Sequence, residues 1–116
     1  VYQGPSPEFL HKLLGDHPDM KFIYAHIGGG GRDGLARFVD VANERDNLFF
    51  DLGVSNMPRG VLAWLVDQVP PTQIVYGSDH PLNGFTFQLG RVLHADISDD
   101  LKQMILWDNA ARIFGI

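Results

Sequence analysis

Two short stretches hold the side chains best able to do chemistry. One is Ala25-His26-Ile27-Gly28-Gly29-Gly30-Gly31, and the other is Gly77-Ser78-Asp79-His80-Pro81. An imidazole can accept or deliver a proton near neutral pH, and a carboxylate can bind a divalent cation. Brought to one rim, a histidine and an aspartate could hold a metal or share a proton between water and a substrate. The glycines admit a second chemistry. Gly29, Gly31 and Gly34 spell GxGxxG, the loop whose backbone cradles a dinucleotide pyrophosphate, and Asp51 follows Gly34 at nearly the spacing of a ribose-binding acid. Against it, four consecutive glycines fit several templates, His26 and Ile27 separate the loop from its strand, and Gly-Ser-Asp-His-Pro is left without a task.

Each residue also has a structural reading. His26 could be a hydrogen-bonded residue at a strand end, Asp79 could cap a turn, and Asp51 fits best as a binder of backbone donors beside its strand. His11 and His17 read as solvent-facing helix and turn residues and His94 as an exposed or partly packed one. None of these three is given a role.

The elements that must position these residues follow from apolar spacing. Ser6 and Pro7 open a helix whose apolar face is Phe9, Leu10, Leu13 and Leu14, ending at Gly15-Asp16-His17-Pro18. Lys21 to Ala25, Asn47 to Leu52 and Gln73 to Tyr76 are short, mostly apolar runs, as expected of strands covered on both faces. Helical patterns separate them, over 32–45 and 58–69. Two more follow the last strand, Phe85 to Leu93 and a helix capped by Ser98, and a short closing helix begins near Asn109. Strands alternating with helices predict an α/β fold with a parallel sheet, and its active site belongs at the C-terminal strand ends. Those ends carry His26, Asp51 and Asp79.

Composition excludes several partners. The chain has 116 residues, a net charge of -5 and no cysteine, so it offers neither a basic surface for nucleic acid or anionic membrane nor a disulfide framework. No apolar run approaches the roughly 20 residues that span a bilayer. A cytoplasmic location and a small-molecule substrate are the expectations. The chain begins with Val1, so a segment upstream is expected.

Taken in order, IYAHIGGGG, NLFFDLG, QIVYGSDHP and ILWDNAARIFGI resemble the C-terminal half of the amidohydrolase-related family, the aminocarboxymuconate-semialdehyde decarboxylase-like metal-dependent hydrolases. The resemblance implies a partial TIM (β/α)8 barrel, with the three strands as its sixth, seventh and eighth. It makes 1–116 the C-terminal part of one barrel domain. It further implies that Asp79 is a metal ligand, zinc being the expected ion, and that His26 works on a metal-activated water or on substrate. Gly28, Gly29, Ser78 and His80 then line the substrate rim, and Asn109 is a helix-capping structural residue. The family's His-x-His ligand pair is absent from this chain. A metal-dependent hydrolase or non-oxidative decarboxylase is therefore expected, completed by an N-terminal barrel half or a homo-oligomer. The alternatives are a dinucleotide-binding oxidoreductase module and a non-catalytic barrel fragment.

Overall fold

The computed structural model describes residues 4–29 and 31–116. Its centre is a three-stranded parallel sheet in the order β1 (Phe22–Tyr24), β2 (Leu48–Asp51), β3 (Ile74–Val75). Phe22 lies opposite Leu48 and Phe50 opposite Ile74, so the three C-terminal ends meet on one edge. Each strand is shorter than the apolar run that announced it.

Alternation decides what each face meets. Tyr24, Leu48, Phe50 and Ile74 are buried on one face against helix residues such as Leu10, Leu14, Leu35, Val61, Leu65, Val92 and Ile105. Burying each such side chain is worth roughly 1.5–3 kcal/mol, which makes this layer the main source of stability. Phe49 and Val75 point to the opposite face, where Ile23 and Ile113 pack against them. Asp51 shares the strand parity of Phe49 and so belongs to that second face.

The helices are α1 (Pro7–Asp16), α2 (Gly31–Ala36), α3 (Val39–Glu44), α4 (Val61–Gln68), α5 (Phe85–Leu93), α6 (Asp99–Gln103) and α7 (Asn109–Phe114). Ser6 caps α1 by accepting the Phe9 N–H at 3.2 Å, and Ser98 caps α6 through the Leu101 N–H at 3.3 Å, both as expected. The helix expected over 32–45 is instead two. A turn at Arg37-Phe38 closes through Phe38 N–H to the Leu35 carbonyl, and Phe38 turns its ring edge onto Tyr24, 4.7 Å between centroids. The helix expected from Pro58 begins only at Val61, after Gly60 adopts a φ of 86°. His11 is half-buried and pairs with Glu44 at 2.7 Å, joining α1 to α3, and is not the solvent-facing residue expected.

The closing segment is one helical run from Asp99 to Phe114 with a π-helical stretch, Met104–Asp108, in its middle. There the Asn109 N–H reaches back five residues to the Met104 carbonyl. The Ile105 carbonyl, four residues before Asn109, accepts the Tyr76 N–H at 3.0 Å. The buried Asn109 side chain donates to the Pro71 and Ile74 carbonyls at 2.8 and 2.7 Å. Asn109 therefore does not cap a helix start, because the helix runs through it; it ties the run to β3.

Candidate active site

β1 passes directly into a 3-10 turn, Ala25–Gly29, that carries His26. His26 and Ile27 adopt φ values of 57° and 46°, and Asp79, just beyond β3, adopts 54°. Non-glycine residues seldom occupy this region, and a β-branched one such as Ile27 pays most for it. His26 and Ile27 follow β1 and Asp79 follows β3, the outer two strands of the sheet. Ile27 is fully buried, which holds the turn in place.

The two side chains singled out by chemistry do meet. His26 Nε2 lies 3.9 Å from Asp79 Oδ1, with the histidine about half exposed (46%) and the aspartate less so (23%). His26 Nδ1 contacts the Gly53 carbonyl at 2.9 Å. A carbonyl only accepts, so Nδ1 carries the proton and, in the neutral ring, Nε2 presents its lone pair toward Asp79. Asp79 Oδ2 is engaged by the Asn83 side-chain amide at 2.9 Å. Two electron-pair donors therefore face each other across a gap too long for a hydrogen bond between them. Such a gap suits a cation or a proton-bearing group. No third His, Cys, Asp or Glu joins this pair as a metal-binding cluster among the described residues.

The loop after β2 is pinned from two sides. Asn83 also donates to Ser55 Oγ at 3.0 Å, and Arg91 donates to the Val54 and Ser55 carbonyls at 2.5 and 2.7 Å. Gln88 donates to the same Val54 carbonyl at 3.0 Å. Burial pushes the Arg91 guanidinium down and the Tyr76 phenol up from their ordinary ranges.

The other rim candidates sit less centrally. Ser78 Oγ accepts the His80 N–H at 3.3 Å within its own loop, and His80 is exposed. Gly28 and Gly29 belong to the 3-10 turn behind His26, while Gly30 lies outside the described residues. The clefts between α1 and α3 and between α4 and α5 include neither His26 nor Asp79. Asn83 and Gly53 were missed in the sequence. Asn83 lies four residues after Asp79 in a loop without periodicity, and Gly53 acts through its backbone, so residue type alone gave no signal for either.

Of the dinucleotide pattern, Gly31 opens α2, while Gly29 closes the 3-10 turn before it and the Asp51 carboxylate is engaged by the Gly53 N–H at 2.5 Å, the structural role expected of it beside its strand.

A protein-family model described as Amidohydrolase matches residues 3–116. Among solved structures, the chain is similar to a dihydroxybenzoic acid decarboxylase from a Polaromonas species, crystallised with manganese and the inhibitor 2-nitroresorcinol. The identity is 18% and the TM-score 0.74, over 94% of this chain and 38% of that one. It is similar to a 2,6-dihydroxybenzoate decarboxylase in complex with 2,6-dihydroxybenzoate (20%, TM-score 0.73, over 89% and 37%). A third similar structure is described as an amidohydrolase II (22%, TM-score 0.67, over 93% and 40%). No curated protein sequence matches the chain. The chain spans about two fifths of the length of these structural neighbours, and its three parallel strands are part of a TIM-barrel architecture.

Proposed function

This chain belongs to the amidohydrolase family, and on that premise we propose that it is the C-terminal part of a metal-dependent hydrolase or non-oxidative decarboxylase. Its substrate is a small organic acid, ester, lactone or amide. The observation that carries the reading is the facing pair, His26 Nε2 and Asp79 Oδ1, 3.9 Å apart at the C-terminal strand ends. Brought to the rim by parallel strands, they lie where barrel enzymes place their chemistry.

The fit to a divalent ion is partial and specific. Asp79 would hold it through Oδ1, the oxygen that Asn83 leaves open, and the remaining ligands come from the complementing part of the barrel. A bound divalent ion, zinc or manganese, supplies Lewis acidity toward a carbonyl or carboxylate oxygen and toward water. His26 moves the proton. Its Nδ1–H is committed to Gly53, so Nε2 either takes a proton from an attacking water in hydrolysis or delivers one to carbon as carbon dioxide leaves. Its half-exposed ring is reachable from the rim. The backbone of Gly28 and Gly29, together with Ser78 and His80, borders the same opening and reads the substrate. The protein works in the cytoplasm, completed by an N-terminal barrel half or by oligomerisation.

Elemental analysis and turnover in the full protein test the assignment, with hydroxybenzoates as the first substrates because two structural neighbours decarboxylate them. Asp79→Ala is expected to lose both metal and activity. His26→Ala is expected to keep its metal and lose about 10²- to 10⁴-fold in rate, the usual cost of a missing proton-transfer group. Full metal occupancy in Asp79→Ala would remove its assigned role.

A further inference from the structure

The geometry points to Asp51 as a positioning residue that sets the orientation and tautomer of His26 through the backbone turn at Gly53, an inference that rests on the proton-transfer role proposed for His26. The path is short. Asp51 Oδ1 accepts the Gly53 N–H at 2.5 Å, and the Gly53 carbonyl in turn faces His26 Nδ1 at 2.9 Å. The Gly53 N–H and carbonyl lie in neighbouring peptide planes, and the Val54 N–H, bonded to the Leu52 carbonyl at 2.7 Å, closes the tight turn that locks those planes together, so holding the N–H restrains where the carbonyl points.

The carboxylate is itself wedged. A methyl group added at Gly77 would lie 2.5 Å from Asp51 Oδ2 and 2.6 Å from its Cγ, and one added at Gly53 would lie 2.7 Å from Oδ1 and 3.3 Å from the Asp79 nitrogen. Glycines from the ends of two strands thus form a slot that only this carboxylate fills. The slot also abuts the backbone of Asp79, whose nitrogen lies 3.3 Å from where a methyl added at Gly53 would sit. His26 needs such a brace, because its own φ of 57° is not self-supporting. A histidine whose outer nitrogen does chemistry commonly has the inner one fixed by a backbone carbonyl, and loss of an outer partner typically costs 10- to 100-fold.

The test is made on the full protein labelled with 15N at histidine, without metal or substrate. Long-range proton–nitrogen spectra are expected to show neutral His26 as the Nδ1–H tautomer. Asp51→Ala and Gly77→Ala should both shift it toward Nε2–H and lower kcat about 10- to 100-fold with KM little changed. Asp51→Asn should restore both, since its amide oxygen can still accept the Gly53 N–H. On a His26→Ala background, Asp51→Ala should add no further loss of rate. A wild-type His26 in the Nε2–H form would overturn the inference, as would an Nδ1–H form retained in both natively folded variants. If Asp51→Ala does not fold, Gly77→Ala decides, because it keeps the carboxylate and only displaces it. Absence of metal-dependent turnover would end the proposed function while leaving the tautomer result standing.

Discussion

Asp79 divides its carboxylate between two tasks. Oδ2 takes the Asn83 amide at 2.9 Å, and Oδ1 is left toward His26. Asn83 therefore decides which oxygen is free. Its loop turns back on itself, with the Asn83 N–H bonded to the Asp79 carbonyl at 3.0 Å. Asn83→Ala is expected to cost about 10- to 100-fold in kcat/KM, by releasing the carboxylate to rotate, and Asn83→Asp more, by setting a second negative charge beside the first. Steady-state kinetics on the two variants checks it; equal rates in wild type and Asn83→Ala would show that Asp79 needs no such partner. His26 and Asp79 could be found in the sequence because strand ends are readable from apolar runs. Asn83 and the Gly53 carbonyl could not, because they act through a turned loop and a peptide bond. The positive φ values of His26 and Ile27 were equally hidden, since nothing in their side chains asks for that conformation.

Among the elements, the strands and their parallel order were legible because short apolar runs separated by helical spacers permit little else. The helix break at Arg37-Phe38 was not. Its sequence keeps a helical apolar pattern across the turn, and only the docking of Phe38 onto Tyr24 shows why the chain bends there. The closing helix is held to β3 by polar bonds as much as by packing. Asn109→Ala would leave the Pro71 and Ile74 carbonyls without their donor, at an expected cost of about 1–3 kcal/mol. Denaturant unfolding measures it. A loss well under 1 kcal/mol would show that the two carbonyls find other donors.

As a whole, the chain is compact, with a radius of gyration of 13.4 Å against about 13 Å expected for its length. Its exposed apolar residues are therefore not the product of loose packing. Leu82, Trp107, Phe114 and Ile116 are each more than half exposed, and β1 and β3 each pair only with β2 among the described residues. Open parallel edges beside apolar surface favour association, which a net charge of -5 opposes only weakly at physiological salt. The isolated 116-residue chain is expected to self-associate or to unfold at low denaturant, as analytical ultracentrifugation and a melting curve will show; a monomer with a cooperative transition would count against the barrel-fragment reading. The π-helical stretch bears on how this chain can change over generations. Deleting one residue between Met104 and Asn109 would let a regular α-helix form with the Asn109 N–H still on the Met104 carbonyl, so the turns beyond would keep their facing, but the Ile105 carbonyl would be drawn into the helix and lost to the Tyr76 N–H. The extra residue is thus slack in the line: a codon lost within the stretch costs one bond to Tyr76, whereas one lost or gained in the regular turns beside it would swing the Asn109 amide by about 100° off the strand that leads to Asp79.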